Sequence, residues 1–198
     1  MAKKENGFFD FIAPIYGLLF NYQVQYYEKI LHRVKNEIDL TKYDNIIDVG
    51  CGTGALCYIL SKTGLKVTGV DAVQRMINIA EKKLQNKTVD LVRTNVLKKT
   101  PFEDKSFDLA ISSYVVHGLK KHERKKIYAE MSRITRRMVI YHDYNQNRAL
   151  HINIAEWLEG GDYFNFIQNA QKEMAESFKK VRVINVDSRA AWYICTPY

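Results

Sequence analysis

The sequence predicts an α/β protein with a doubly wound, mostly parallel sheet of seven strands, helices on both faces and an antiparallel C-terminal hairpin. Three observations carry that expectation. From Asn45 onward, β-branched runs alternate with segments whose apolar residues recur at helical spacing. The first such run, Ile46, Ile47 and Val49, passes into glycines set two apart, Gly50, Gly52 and Gly54, and then into a helix-like stretch. Near the C-terminus, two β-rich runs flank the turn-like triplet Asp187-Ser188-Arg189.

The elements follow in order. Residues from about Phe8 to Asp39 read as helical, with Tyr22, Tyr26 and Tyr27 among their aromatics. "NIIDVG" is the first strand and "ALCYILSKTG" a helix closed by Gly64. "KVTGVD" is the second strand, followed by a helix in which Val73, Met76, Ile77, Ala80 and Leu84 recur at helical spacing. "VDLVRTN", "FDLAISSYVV" and "RMVIYHD" are the next three strands. The basic run "KKHERKKIYAEMSRITRRM" is interleaved with Ile127, Met131 and Ile134, the pattern of an amphipathic helix with a wet basic face. "ALHINIAEWLEGGDYFNFIQNAQKEMAESF" holds two helical patterns split by Gly160-Gly161. It is long for a connection, so it is expected to cover a site with Trp157, Tyr163, Phe164 and Phe166 as its aromatics. "VRVINVDSRAAWYICTP" supplies the hairpin. The expected organisation is one domain over residues 1–198. It comprises a helical cap (1–40), a binding core (41–145), a cover for the site (146–180) and the hairpin (181–198).

Composition narrows the function classes. The chain has 198 residues, 46% hydrophobic and 26% charged, enough for one full core and unlike a disordered segment. Lys and Arg number 30 against 22 Asp and Glu, a net charge of +8 that can attract nucleic acid, anionic lipid or an acidic substrate. The favoured reading is a solubilising surface, because no RNA-binding aromatic motif or zinc-finger spacing accompanies the charge. Cys51, Cys57 and Cys195 are odd in number and without metal-ligand spacing. They are expected as reduced thiols of a cytoplasmic protein with no metal site. The N-terminal apolar run is broken by Glu5, Asp10 and Pro14. It falls short of the roughly 20 residues that span a bilayer, and is expected to be neither signal nor anchor.

A strand, a glycine loop and a helix make a nucleotide-type site at the carboxyl end of a parallel strand. A phosphate loop would require Gly-Lys-Ser/Thr, which is absent. A dinucleotide loop reads G-x-G-x-x-G/A, which Ala55 meets in its looser form. Asp71 ends the second strand about 20 residues further on, where an acidic group binds ribose hydroxyls.

Context separates the ligands. "DVGCGTG", with Asp48 ahead of the glycines, resembles motif I of the class I S-adenosylmethionine-dependent methyltransferases. "VTGVDAV" and "RTNVLKKTPFEDKSFDLAISSYVVHGL" are similar to the next two motifs of that family, in the same order, over about Asn45 to Leu119. "FFDFIAPIYGLLF" resembles the opening of its quinone-biosynthesis branch and lipid and small-molecule relatives, with Gly17 where that branch has Asp. The resemblance implies a Rossmann-like fold and S-adenosyl-L-methionine as cofactor. Gly50, Gly52 and Gly54 then admit its methionyl and ribose parts, and Thr53 offers a hydroxyl and a backbone donor. Asp48 holds the cationic amino group and Asp71 the ribose hydroxyls. Asn95 and the Val96 backbone meet the adenine, Ser112 or Ser113 lies beside the methionyl tail, and Tyr16 lies near the cofactor.

Such an enzyme aligns a nucleophile with a methyl group on a good leaving group, and it needs a base only for a protonated acceptor. Candidate bases are His117, His142, Asp143 and Tyr144. The neighbours His142 and Asp143 are preferred because they follow the fifth strand, where the acceptor pocket opens in this fold. The sequence "ISSYVVH" stands where amino-methyltransferases have Asn/Asp-Pro-Pro-Tyr/Phe. The expected acceptor is therefore a small or amphipathic molecule, and nucleic acid is disfavoured. The alternatives are a non-catalytic S-adenosylmethionine-binding protein and, less favoured, a nicotinamide-dependent oxidoreductase. Nothing in the sequence sets the oligomeric state.

Overall fold

The computed structural model describes residues 13–147 and 162–198. Trp157, Gly160-Gly161 and the opening aromatics Phe8, Phe9 and Phe11 lie outside the described residues. A seven-stranded sheet, the strand number that the sequence predicts, has the order Val89–Arg93, Lys66–Asp71, Asn45–Val49, Phe107–Ser113, Thr135–Tyr144, Ala190–Thr196 and Lys180–Asn185. The chain divides into two compact units, Met1–Asn95 and Val96–Tyr198.

In the first unit, residues 13–18 are helical and α1 spans Phe20–Val34. Two hydrogen bonds, Leu19 N to Ile15 O and Gln23 N to Leu19 O, carry the backbone across the short break at Leu19. Helix α1 stops earlier than the pattern to Asp39 suggested, because Asp39 starts a 3₁₀ turn, Leu40–Lys42. Its carboxylate accepts from both the backbone N–H and the hydroxyl of Thr41. β1 (Asn45–Val49), α2 (Ala55–Leu60), β2 (Lys66–Asp71), α3 (Gln74–Leu84) and β3 (Val89–Arg93) follow. β1 pairs with β2 in parallel from Asn45↔Lys66 to Val49↔Val70, and β2 with β3 from Val67↔Val89 to Asp71↔Arg93. Ile46, Ile47 and Val49 are all buried, as in a parallel strand covered on both faces. Met76, Ile77, Ala80 and Leu84 form the buried face of α3, at the spacing read from sequence. Ala13 packs against Val73 and Met76, so the N-terminal helical segment rests at the start of α3.

The second unit holds β4 (Phe107–Ser113), a 3₁₀ turn at Val116–Gly118, α4 (Lys121–Ile134), β5 (Thr135–Tyr144), α5 (Tyr163–Ala175), β6 (Lys180–Asn185) and β7 (Ala190–Thr196). β4 and β5 are parallel, whereas β7 runs antiparallel to both β5 and β6. The wet-face expectation for α4 fails at Arg124, which is fully buried. Its Nε and Nη2 donate to the two carboxylate oxygens of Glu173 at 2.7 and 2.8 Å, and Nη1 donates to Asp162 Oδ2 at 2.9 Å. A planar guanidinium with this fork of donors can be buried because two carboxylates from the α5 region face it.

Candidate functional site

The first unit builds a site mostly from backbone. Gly50 N and Cys51 N both donate to Val70 O, at 2.8 and 2.9 Å, and pin the loop after β1 to the end of β2. Gly50, Gly52 and Gly54 take φ of 77°, 53° and 84°, the left-handed region that glycine enters without a Cβ penalty. Gly52 and Gly54 differ in what else they do. A Cβ on Gly52 would meet nothing within 4 Å, so the loop presents open backbone there. A Cβ on Gly54 would lie 2.7 Å from Leu84 Cδ1 and 3.2 Å from Ala80 Cβ, so this glycine lets the loop sit on α3.

Asp71 closes β2 and receives Gly52 N on Oδ2 at 2.9 Å and Val73 N on Oδ1 at 2.8 Å. Burial pushes its carboxyl above the usual range while these N–H bonds oppose the shift. A carboxylate oxygen can accept more than one hydrogen bond, so the same group can still take ribose hydroxyls. Asp48 is buried on β1. The Cys57 thiol donates to its Oδ2 at 3.3 Å, while Oδ1 has no hydrogen-bond partner among the described residues. Burial pushes Asp48 up to about 7, with the Cys57 thiol opposing and Asp71 adding to the rise. An orphaned buried carboxylate oxygen is costly, and a cationic donor is the group that would satisfy it.

Thr53 is buried and its hydroxyl lies 3.5 Å from Gln23 Oε1, a contact between the loop and α1 that the sequence did not single out. Asn95, two residues beyond β3, and Val96 are half-buried. Tyr16 lies on the helical segment 13–18 and is 37% exposed. Cys51 and Cys57 are buried free thiols. The bond from Cys57 draws the Cys51 thiol down, but burial and the charges of Asp48 and Asp71 raise it on balance. The bond to Cys51, then burial and Asp48, hold Cys57 well above its usual range. Both stay protonated, as expected of fillers rather than nucleophiles.

The second unit builds its candidate site from side chains. His142 and Asp143 are consecutive on β5, so they project to opposite faces of the sheet. The preferred pairing of these two is therefore replaced. Asp143 Oδ1 lies 2.7 Å from His117 Nδ1, and Oδ2 accepts the N–H groups of Val116 and His117 at 3.1 and 3.3 Å. Asp143 thus caps the 3₁₀ turn and orients the ring that the turn carries. His142 Nδ1 accepts instead from Trp192 Nε1 at 3.0 Å, across the β5–β7 register. Burial pushes His142 down to about 4, with the charges of Asp143 and Asp187 opposing.

Rings gather around His117. Tyr144 lies 4.8 Å from it between ring centroids, and Tyr114 and Tyr163 each 6.4 Å, all edge-on. Tyr114 directly follows β4 with φ of 53°, an uncommon conformation for a non-glycine residue, and its N–H donates to His142 O at 2.9 Å. Only its place after β4 could have flagged it in the sequence. Ser112 is buried and Ser113 half-buried at the end of β4, paired in register with Tyr141 and His142. Of the aromatics expected in the cover, Tyr163 faces His117 and Tyr144, whereas Phe166 is fully buried against Tyr193.

The family described as "Methyltransferase domain" matches residues 47–140. Demethylmenaquinone methyltransferase of Tropheryma whipplei is 35% identical over 85 residues, 41% of this chain and 34% of that protein. Sterol 4-C-methyltransferase strm-1 of Caenorhabditis elegans is 26% identical over 145 residues, 66% of this chain and 42% of that one. The chain thus spans well under two thirds of the length of these relatives. A SAM-dependent methyltransferase from Aquifex aeolicus has the same fold, with a TM-score of 0.64 and 20% identity over 78% of this chain and 82% of that one.

Proposed function

We propose that this class I S-adenosylmethionine-dependent methyltransferase methylates a small or lipid-like acceptor, with His117 taking the acceptor's proton and Asp143 orienting His117. The observation that carries the proposal is the 2.7 Å contact between His117 Nδ1 and Asp143 Oδ1, on a carboxylate otherwise fixed by backbone N–H groups.

S-adenosylmethionine is the cofactor, and when bound it supplies an electrophilic methyl group on a sulfonium. The residues of the first unit suit it. Asp48 Oδ1 would accept from the cofactor's amino group, Asp71 would take the ribose hydroxyls, and Gly52 leaves room for backbone approach. Asn95 would serve the adenine. With Asp143 holding the Nδ1 proton, the neutral His117 ring carries its lone pair on Nε2, the nitrogen that receives a proton. The imidazolium so formed is stabilised by Asp143. Tyr114, Tyr144 and Tyr163 give His117 an aromatic surround that suits an apolar acceptor and limits water. The names of the quinone and sterol relatives support the same acceptor class. Three free buried thiols fit action in the cytoplasm.

The test is transfer of a radiolabelled methyl group to a panel of quinols, phenols, sterols and amines, with S-adenosylhomocysteine binding measured alongside. His117→Asn is expected to abolish transfer to the active acceptor and to leave S-adenosylhomocysteine binding intact. Full activity in that variant would remove His117 from the reaction. No affinity of the native protein for S-adenosylhomocysteine would overturn the whole reading.

A further inference from the structure

The helical segment before and within α1 carries an apolar stripe on the outside of the protein. Ile15, Leu18, Leu19 and Tyr22 are 52%, 85%, 46% and 70% exposed. Their spacing is i, i+3, i+4 and i+7, so they share one helix face, while Phe20, Ile30 and Val34 point inward. Single exposed apolar residues need no explanation, but a contiguous helical stripe marks a contact surface.

The surroundings of the stripe identify the partner. The same exposed face continues through Gln25 to Lys29 and Arg33. Glu28, beside Lys29 on the flank of this face, pairs with Lys62 at 3.8 Å. An apolar stripe continued by two exposed cations, in a chain of net charge +8, is the composition of a helix lying in the interface of an anionic bilayer. Docking two copies through this face would bring like charges together, which disfavours a second chain as the occupant. Among the described residues no helix is long and apolar enough to cross a membrane, so the contact lies along the surface.

We propose that the face carrying Ile15, Leu18, Leu19 and Tyr22 docks the protein on anionic lipid surfaces. This rests on nothing in the assignment of His117 or of the acceptor.

The experiment is sedimentation of the full chain with phosphatidylcholine vesicles, with and without about a third phosphatidylglycerol. Leu18→Cys, carrying a polarity-sensitive fluorophore, reports on the face itself, since the three native cysteines are buried. Binding is expected only to the anionic vesicles, with a blue shift of the fluorophore on binding and weakening as salt rises. Leu18→Ser/Tyr22→Ser should abolish it, and Lys29→Ala and Arg33→Ala should each weaken it about fivefold, the equivalent of roughly 1 kcal/mol per basic residue near an anionic surface. All of these variants should keep native affinity for S-adenosylhomocysteine, which shows that they fold. Three results would overturn the proposal: no binding to anionic vesicles, a fluorophore already shielded in buffer because another part of the chain covers the face, or a dimer dispersed by Leu18→Ser/Tyr22→Ser.

Discussion

The loop after β1 and the cluster around His117 solve the same problem, holding groups in place, by opposite means. In the loop the work is done by backbone: N–H groups of Gly50, Cys51 and Gly52 anchored to β2, and glycines in conformations other residues avoid. Around His117 it is done by side chains from distant positions, with Asp143 reaching a ring 26 residues earlier and Arg124 tying α4 to Glu173 49 residues later. Backbone sites tolerate few substitutions at a few places, whereas side-chain sites fail one contact at a time. Single substitutions separate the two.

Arg124→Met should be the most damaging change. It leaves the Glu173 carboxylate buried without its cation, and breaking one side of a buried pair costs about 3–5 kcal/mol. Denaturant unfolding measures it, and a double variant with Glu173→Gln should recover part of the loss if the unpaired charge is its cause. Asp143→Asn should lower methyl transfer by on the order of a hundredfold or more, the span of a lost general base, with little change in S-adenosylhomocysteine affinity. Rates across pH, together with calorimetric binding, distinguish that from simple unfolding.

In the loop the comparison sharpens between two glycines. Gly52→Ala meets no neighbour and costs only its left-handed φ, about 1–2 kcal/mol, but puts a methyl group on the open backbone. It should weaken S-adenosylhomocysteine far more than it weakens folding. Gly54→Ala pays the same φ and also crowds Leu84 and Ala80, so folding should suffer first. Thermal melts with and without ligand tell the two outcomes apart.

Asp48 makes the most specific prediction. Its carboxyl holds a proton up to about 7 in the folded chain, against an ordinary value of 3.8, so the native state binds the extra proton between those values. Stability from this group therefore falls as pH rises from about 4 to about 7, and Asp48→Asn removes that decline. A cationic amino group beside Asp48 favours its ionised form. S-adenosylhomocysteine affinity should thus climb as pH rises toward 7 in the native protein and stay flat in Asp48→Asn. His142 contributes the opposite slope over nearly the same interval and offsets much of that decline in the native protein. Its proton affinity is pushed down to about 4 from 6.5, so stability falls as pH drops through that interval.

The same contrast explains what could be read from the sequence. The order of strands and helices was legible because parallel pairing leaves local traces: buried β-branched runs, the helical spacing of Met76, Ile77, Ala80 and Leu84, and the turn between β6 and β7. The glycine loop was legible because a left-handed backbone selects glycine position by position. Asp143 and His117 were both candidates, yet the sequence paired Asp143 with its neighbour His142. Alternation along β5 sends neighbours to opposite faces, and only the fold brings the 3₁₀ turn of His117 to Asp143. Arg124 was assigned to a wet face for a related reason, since its two carboxylate partners come from the other side of the unit. Tyr114 left no trace beyond its place after β4.

The most direct test of the pairing on which the proposed chemistry rests is the nitrogen NMR spectrum of His117 in the S-adenosylhomocysteine complex, compared with Asp143→Asn. The neutral ring is expected to carry its proton on Nδ1 in the native protein and to lose that single preference in the variant. A proton on Nε2 in the native protein would mean that Asp143 does not hold the ring for proton uptake, and would contradict the account.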